Sequence, residues 1–275
     1  MVLQEATVIH LNSGAAMPRI GFGTWDLRGK ACTSAVAEAI SAGYRLIDTA
    51  IMYENEAETG EGVRESGRTR ESLFLTTKLE GACNGYGKAL SAIERSLQRM
   101  KLDYLDLVLI HEPYSHEAEM YRALTEAHAA GLIRSIGVSN FNRRRYDLFL
   151  SECGLIPAVN QIESHVFYAQ LPFVRHMAET GTAAQAWGPL AQGKHEIFRN
   201  PLLCAIGERH GKTAAQVALR FLLQSGVAIV PKTADPIRMR QNLDVLDFAL
   251  TDDELAALRE LDEGRSLSDW TSRWA

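Results

Sequence analysis

A chain of 275 residues that is 46% hydrophobic and 23% charged, with no low-complexity run, has the make-up of a folded globular protein and excludes disorder. Its net charge of −5 excludes the concentrated basic face that nucleic acid or an anionic membrane needs, and the one basic triplet, Arg143-Arg144-Arg145, reads as an exposed helix start. Cys32, Cys83, Cys153 and Cys204 stand far apart with no Cys-x-x-Cys pair, which excludes zinc and dithiol motifs and leaves free thiols in a reducing compartment.

In chain order, residues 6–11 alternate weakly, Ser13-Gly14 marks a turn and residues 17–21 extend again, predicting a small hairpin ahead of the main fold that could plug its bottom. Strand-like apolar runs and amphipathic helical stretches then take turns. Strand 20–23 precedes a helix through 42, strand 46–48 a helix 56–66, strand 73–78 a helix 87–100, and strand 105–111 a helix 117–130. Strand 133–139 precedes helix 143–152, strand 159–163 helix 173–179, strand 183–187 a long connection and helix 213–224, and strand 228–232 a short helix 237–243. Leu90, Ile93, Leu97 and Met100 recur at helical steps and form one buried stripe. Thr251-Asp252-Asp253-Glu254 looks like a capping box that opens a last helix with Leu255, Leu258 and Leu261 inward.

Strand–helix alternation implies a parallel sheet, and eight such units without sharp punctuation imply an α/β fold of the (β/α)₈ TIM-barrel kind, with an N-terminal β-hairpin and a C-terminal helix and tail. One domain over residues 1–275 is expected, since single barrels run to roughly 250 residues. No signal-peptide pattern opens the chain and no apolar run reaches membrane-span length, so a cytoplasmic location is expected.

Asp48, Lys78, His111, Ser139, Asn140, Gln161 and Lys232 close apolar strands, and Trp187 closes another. Polar residues gathered at the C-terminal ends of barrel strands read as chemistry. Asp48, Tyr53, Lys78 and His111 suit carbonyl reduction, where hydride reaches carbon and the oxygen must receive a proton. Tyr53 would be the acid, because an adjacent Lys78 ammonium favours phenolate and lowers the phenol pKa from about 10. Asp48 would keep Lys78 charged and oriented, and His111 would donate a hydrogen bond to the substrate oxygen. Lys232 and Arg238 bracket a helix start, a setting that favours the 2′-phosphate of NADP over NAD. Ser139, Asn140 and Gln161 offer partners for a carboxamide, and Trp187 an aromatic face.

Two decoys fall away. Gly21-Phe22-Gly23 lacks the third glycine of a dinucleotide fingerprint. His111 and His116 are spaced by five residues around Pro113, which suits no zinc-protease helix, and no metal is expected.

These segments resemble the aldo-keto reductase family, in the family's order and across nearly the whole chain: Gly21-Phe22-Gly23-Thr24-Trp25, Ile47-Asp48-Thr49-Ala50 with Tyr53, Thr76-Thr77-Lys78-Leu79, Leu109-Ile110-His111, Gly137-Val138-Ser139-Asn140-Phe141, Asn160-Gln161, Trp187-Gly188-Pro189-Leu190, and Pro231-Lys232-Thr233 with Arg238 and Asn242. Trp187-Gly188-Pro189-Leu190 and Gln192-Gly193-Lys194 look most like the bacterial reductases of the 2,5-diketo-D-gluconate type. The resemblance implies a TIM barrel, NADP(H) dependence and the four catalytic roles above. It implies that Ser139, Asn140, Gln161 and Trp187 hold the nicotinamide, that Gly188, Leu190, Gln192, Gly193, Lys232, Thr233 and Arg238 also bind the cofactor, and that Gln241 and Asn242 meet the adenine.

Trp25, Glu80 and Glu112 are the expected substrate-pocket residues. In this subgroup a tryptophan commonly follows the catalytic lysine segment and another the catalytic histidine, where this chain has Glu80 and Glu112. Ile162-Glu163-Ser164-His165-Val166 also departs from the usual pattern, and Trp270 and Trp274 in the tail would restore an aromatic wall. The expectation is therefore an NADPH-dependent reductase of small neutral carbonyl compounds, acting as a monomer. The alternatives are a 2,5-diketo-D-gluconate (sugar-acid) reductase and an NADPH-binding regulatory barrel with negligible turnover. A non-nucleotide barrel hydrolase would leave Lys232 and Arg238 without a role.

Overall fold

Parallel pairing organises the chain. In a computed structural model that describes residues 7–268, eight strands hydrogen-bond in sequence order to form one sheet. They are β3 (Gly21–Gly23), β4 (Leu46–Asp48), β5 (Phe74–Leu79), β6 (Leu105–Ile110), β7 (Ile133–Ser139), β8 (Val159–Glu163), β9 (Ala183–Trp187) and β10 (Ala228–Ile229). The sheet closes on itself where Ile20 bridges Ile229 in parallel, and the Ile229 N–H donates to the Arg19 carbonyl at 2.8 Å. Ahead of it, β1 (Val8–His10) and β2 (Ala16–Pro18) make the expected antiparallel hairpin. Its Leu11 and Met17 pack on Leu46, Phe74, Val159 and Ala228, each the first residue of its strand, so the hairpin covers the N-terminal end of the barrel.

The alternation of side chains along a strand does the placing. Leu46, Leu107, Leu109 and Val159 cluster inside the barrel, while Ile47, Leu75, Val108 and Ile110 pack outward with helix residues such as Val36, Ile93 and Leu124. A period of two then turns Asp48, His111 and Gln161 inward at the opposite, C-terminal mouth.

Helices wrap the outside: α1 (Gly29–Ala42), α2 (Glu56–Glu65), α3 (Tyr86–Met100), α4 (Glu117–Ala129), α5 (Arg143–Glu152), α6 (Leu171–Glu179), α7 (Pro201–His210), α8 (Ala214–Gln224), α9 (Pro236–Leu243) and α10 (Asp252–Arg259). On α3 the buried face is Ala89, Ile93, Leu97 and Met100. Ile93, Leu97 and Met100 each contribute about 1.5–3 kcal/mol by leaving water. The capping box opening α10 is present in both directions, Glu254 N–H to Thr251 Oγ1 at 3.2 Å and Thr251 N–H to Glu254 Oε2 at 2.9 Å.

Two sequence expectations need correction. The long connection after β9 contains a helix that was not expected, α7, which Asn200 caps by accepting from the Leu202 and Leu203 N–H groups while Pro201 stands at its first position. The last strand stops at Ile229 instead of running through 232, because ring closure pairs it only briefly and Pro231 has no N–H for a ladder. Lys232 therefore lies on the loop beyond the strand, itself exposed between buried Pro231 and Thr233. Ala6, Trp270 and Trp274 lie outside the described residues. Among those described, no helix is long and apolar enough to cross a membrane.

Candidate active site

Lys78 is fully buried, and its ammonium donates to three acceptors: Asp48 Oδ1 at 2.5 Å, the Thr49 carbonyl at 3.0 Å and the Tyr53 hydroxyl at 3.2 Å. An ammonium carries three protons, so all are used. Tyr53 reaches this position through a short 3₁₀ turn, Ile51–Tyr53, held from behind by Asn55. The Asn55 amide donates to the Thr24 and Leu27 carbonyls, and its oxygen accepts from the Thr49 hydroxyl at 2.7 Å. Asp48 is pinned on its other oxygen by Gln161 Nε2 at 2.8 Å. Among the described residues, nothing accepts the Tyr53 proton.

Burial pushes the Tyr53 phenol up; the Lys78 charge pulls it down, Asp48 pushes it up again, and the net position is above the ordinary phenol. The expected lowering by Lys78 is therefore corrected: the ammonium acts in that direction, and dehydration of a fully enclosed ring outweighs it. Burial alone would lower Lys78, but Asp48 and then Tyr53 more than offset it and leave its pKa raised. His111 is held down to about 3, first by burial and then by the Lys78 charge, so its imidazole is neutral at physiological pH. Its ring lies edge-on to Tyr53, centroids 5.7 Å apart. His111 Nδ1 is sealed from solvent with no hydrogen-bond partner among the described residues.

Beside this group stands a polar shelf from β7, β8 and β9. Asn140, at φ 62°, donates to the His111 carbonyl at 2.9 Å and to Ser139 Oγ at 3.1 Å, and its oxygen accepts from Trp187 Nε1 at 2.8 Å. Ser139 Oγ donates to the Gln161 carbonyl at 2.8 Å. Both amide hydrogens of Gln161 are spent, on Asp48 and on Gln185 Oε1 at 2.6 Å, so only its oxygen remains to meet a carboxamide.

The other expected cofactor residues divide. Gly188, Leu190, Gln192 and Gly193 lie on a connection that is left-handed at Gly188, Ala191, Gln192, Gly193, His195 and Glu196. For the non-glycine residues that conformation costs on the order of 1–3 kcal/mol each and persists only where surroundings enforce it. Lys194 Nζ donates to the Leu267 carbonyl at 2.7 Å, and His195 Nδ1 pairs with Glu263 at 3.1 Å. Leu267 is itself held by Glu163, whose buried carboxylate accepts from the Leu267 N–H and the Ser266 hydroxyl. That strap went unread because it joins residues more than a hundred positions apart.

At α9, Lys232, Arg238 and Gln241 are exposed and Thr233 is buried. Asn242 is buried with its side chain against the Tyr44 hydroxyl. Two further residues were readable and missed. Asp235-Pro236 is a helix-start signature, and Gln185 shares the inward face of β9 with Trp187.

At the rim, Trp25 is half-exposed and meets the Tyr53 ring edge-on at 4.9 Å. The β5–β6 ladder pairs Leu79 with Ile110, and the His111 N–H donates to the Leu79 carbonyl, so Glu80 and His111 are the next rung. Glu80 keeps an extended backbone (φ −91°, ψ 177°), and alternation gives it the inward face of Lys78. The Tyr114 phenol is pushed up by burial, then by Glu112 and Glu80, which places both carboxylates within its electrostatic reach.

Residues 19–263 match the aldo/keto reductase family. Morphine 6-dehydrogenase of Pseudomonas putida is 40% identical over 274 residues, covering 94% of this chain and 93% of its own. 2,5-Diketo-D-gluconic acid reductase B of a Corynebacterium species is 41% identical over 260 residues, covering 94% of each. A Bombyx mori aldo-keto reductase solved in complex with NADP superposes with a TM-score of 0.91 at 33% identity, covering 96% of this chain and 95% of that one.

Proposed function

Since the chain belongs to the aldo/keto reductase family, we propose that it reduces small aldehydes and ketones to alcohols with NADPH, and that Tyr53 is the general acid. The observation that carries this reading is the Lys78 ammonium shared between Asp48 and the hydroxyl of Tyr53, whose own proton has no acceptor among the described residues. NADPH, when bound, supplies the hydride. Tyr53 passes its proton to the carbonyl oxygen, and Lys78 steadies the phenolate left behind until solvent reprotonates it. His111, neutral, carries its proton on the ring nitrogen away from the sealed Nδ1, since a buried N–H without an acceptor is the costlier orphan, and through it donates a hydrogen bond to the same oxygen without giving the proton up.

The residues present fit the cofactor. Trp187 offers an indole fixed by Asn140, Gln161 offers its oxygen, and Lys232 and Arg238 offer exposed cations near one helix start. The NADP complex of the Bombyx mori relative supports a nicotinamide dinucleotide. Four free cysteines among the described residues suit a reducing cytoplasm. A sugar-acid substrate is the second reading, favoured by the Corynebacterium relative; Glu80 beside His111 weighs against it. The test is a panel of neutral and anionic carbonyl compounds with the loss of NADPH absorbance followed. No turnover of any carbonyl, with NADPH bound, would overturn the reading in favour of a regulatory barrel.

A further inference from the structure

The helix start at which Lys232 and Arg238 would meet a 2′-phosphate already holds an anion of the chain's own. Asp235 is the N-cap of α9: its Oδ1 accepts from the Ile237 N–H at 2.8 Å and from the Arg238 N–H at 3.3 Å. Its second oxygen lies 3.9 Å from Arg238 Nε. The Asp235 N–H in turn donates to Thr233 Oγ1 at 3.1 Å, which occupies one acceptor site of that hydroxyl and uses up a third backbone donor of the turn. Two backbone donors and one of the two cations that would read the extra phosphate are therefore turned towards Asp235. The Arg238–Asp235 pair is exposed, at 72% and 45%, and contributes little to stability. Its charge still acts, because a dianion approaching Arg238 must also approach the carboxylate beside it.

We propose that Asp235 is a specificity-determining residue that narrows the preference for NADPH over NADH, so that this chain uses both dinucleotides. The inference rests on the reading of the site as a nicotinamide-dependent reductase and adds what Lys232 and Arg238 alone do not imply. Adjacent cations without Asp235 would favour the 2′-phosphate strongly. With it, the local balance drops from two positive charges to one, and the strongest helix-start donors are withdrawn.

Asparagine caps a helix about as well as aspartate, so Asp235→Asn removes the charge and keeps α9. Dissociation constants of NADPH and NADH are measured by quenching of tryptophan fluorescence, and of adenosine 2′,5′-bisphosphate against AMP by calorimetry. These need no turnover. Wild type is expected to bind NADPH less than about a hundredfold more tightly than NADH. Asp235→Asn should raise that ratio about tenfold, mostly through NADPH, and the gain should shrink at high salt. Asp235→Glu, which keeps the charge, should leave the ratio near wild type. A ratio unmoved by Asp235→Asn at unchanged thermal midpoint overturns the inference while leaving the reductase intact. Failure of either dinucleotide to bind overturns the reductase reading itself.

Discussion

Tyr53→Phe removes one oxygen and one proton from a site whose other parts are held independently. The Phe ring keeps its edge contacts with Trp25 at 4.9 Å and His111 at 5.7 Å. Lys78 loses its weakest acceptor, at 3.2 Å, and retains Asp48 at 2.5 Å and Thr49 at 3.0 Å. Loss of one hydrogen bond to a charged group sets a stability cost of about 1.5–3 kcal/mol at most, and the long distance puts it at the lower end. Catalysis loses far more. With the proposed acid gone and His111 able to offer only a hydrogen bond, the carbonyl oxygen would take its proton from water, and general acid catalysis is worth about 10²–10⁴-fold.

NADPH affinity should hardly change, since the contact the hydroxyl makes is with Lys78 and its proposed role gives it no bond to the cofactor. The assay is single-turnover NADPH oxidation with saturating carbonyl compound, alongside fluorescence titration of NADPH. A variant keeping more than a tenth of the wild-type rate constant would show that Tyr53 is not the acid. Because burial holds the phenol above its ordinary range, the wild-type donor stays protonated, and Tyr53 should impose no fall in reduction rate from neutral to mildly alkaline pH.

Lys78→Met should destabilise the fold by about 3–5 kcal/mol, because it strands a buried Asp48 carboxylate, and adding Asp48→Asn should recover much of that loss in urea melts without restoring activity. A Lys78→Met cost under about 1 kcal/mol would refute the buried pair. His111 has a folded-state pKa near 3 against about 6.5 unfolded, so its contribution to stability is complete above pH 6.5 and is lost as pH falls towards 3, when the unfolded chain binds the proton that the native ring refuses. Replacing His111 by Gln should flatten the pH dependence of unfolding free energy across that window; an unchanged slope would count against the buried neutral ring. Glu80→Gln should raise kcat/KM for an anionic carbonyl compound relative to a neutral one of similar size by roughly tenfold, an effect that fades with salt. Unchanged discrimination would mean that Glu80 does not border the pocket.

The barrel and the inward placement of Asp48, Lys78 and His111 were legible because both rest on local periods, whereas Tyr53 stands on a 3₁₀ turn beyond the strand. Runs such as Leu46-Ile47-Asp48 and Leu107-Val108-Leu109 carry their facing in the alternation itself, so a polar residue at the C-terminal end inherits an inward direction. What lay outside that logic was lost. The balance on Tyr53 turns on how completely the ring is enclosed, which no spacing encodes. The length of β10 depends on closure against Ile20, over two hundred residues earlier. Asp235 was readable as a cap, but its distance from Arg238 follows from the fold of the first turn of α9.

Asp48 shows why the reacting group and the cofactor shelf belong to one assembly. A carboxylate this buried needs both oxygens satisfied. One is met by the Lys78 ammonium from the neighbouring strand, the other by Gln161 from across the barrel, and Gln161 is steadied in turn by Gln185. Asn140 makes the second tie, joining the His111 carbonyl to Ser139 and to the Trp187 indole. The groups that would protonate the oxygen and those that would seat the nicotinamide are therefore positioned through shared hydrogen bonds. Glu80 at the rim is tied differently: it lies one residue beyond its strand, and its backbone carbonyl accepts from the Cys83 N–H in a local turn. Substrate preference can then change at the rim while the geometry of proton delivery stays fixed below it.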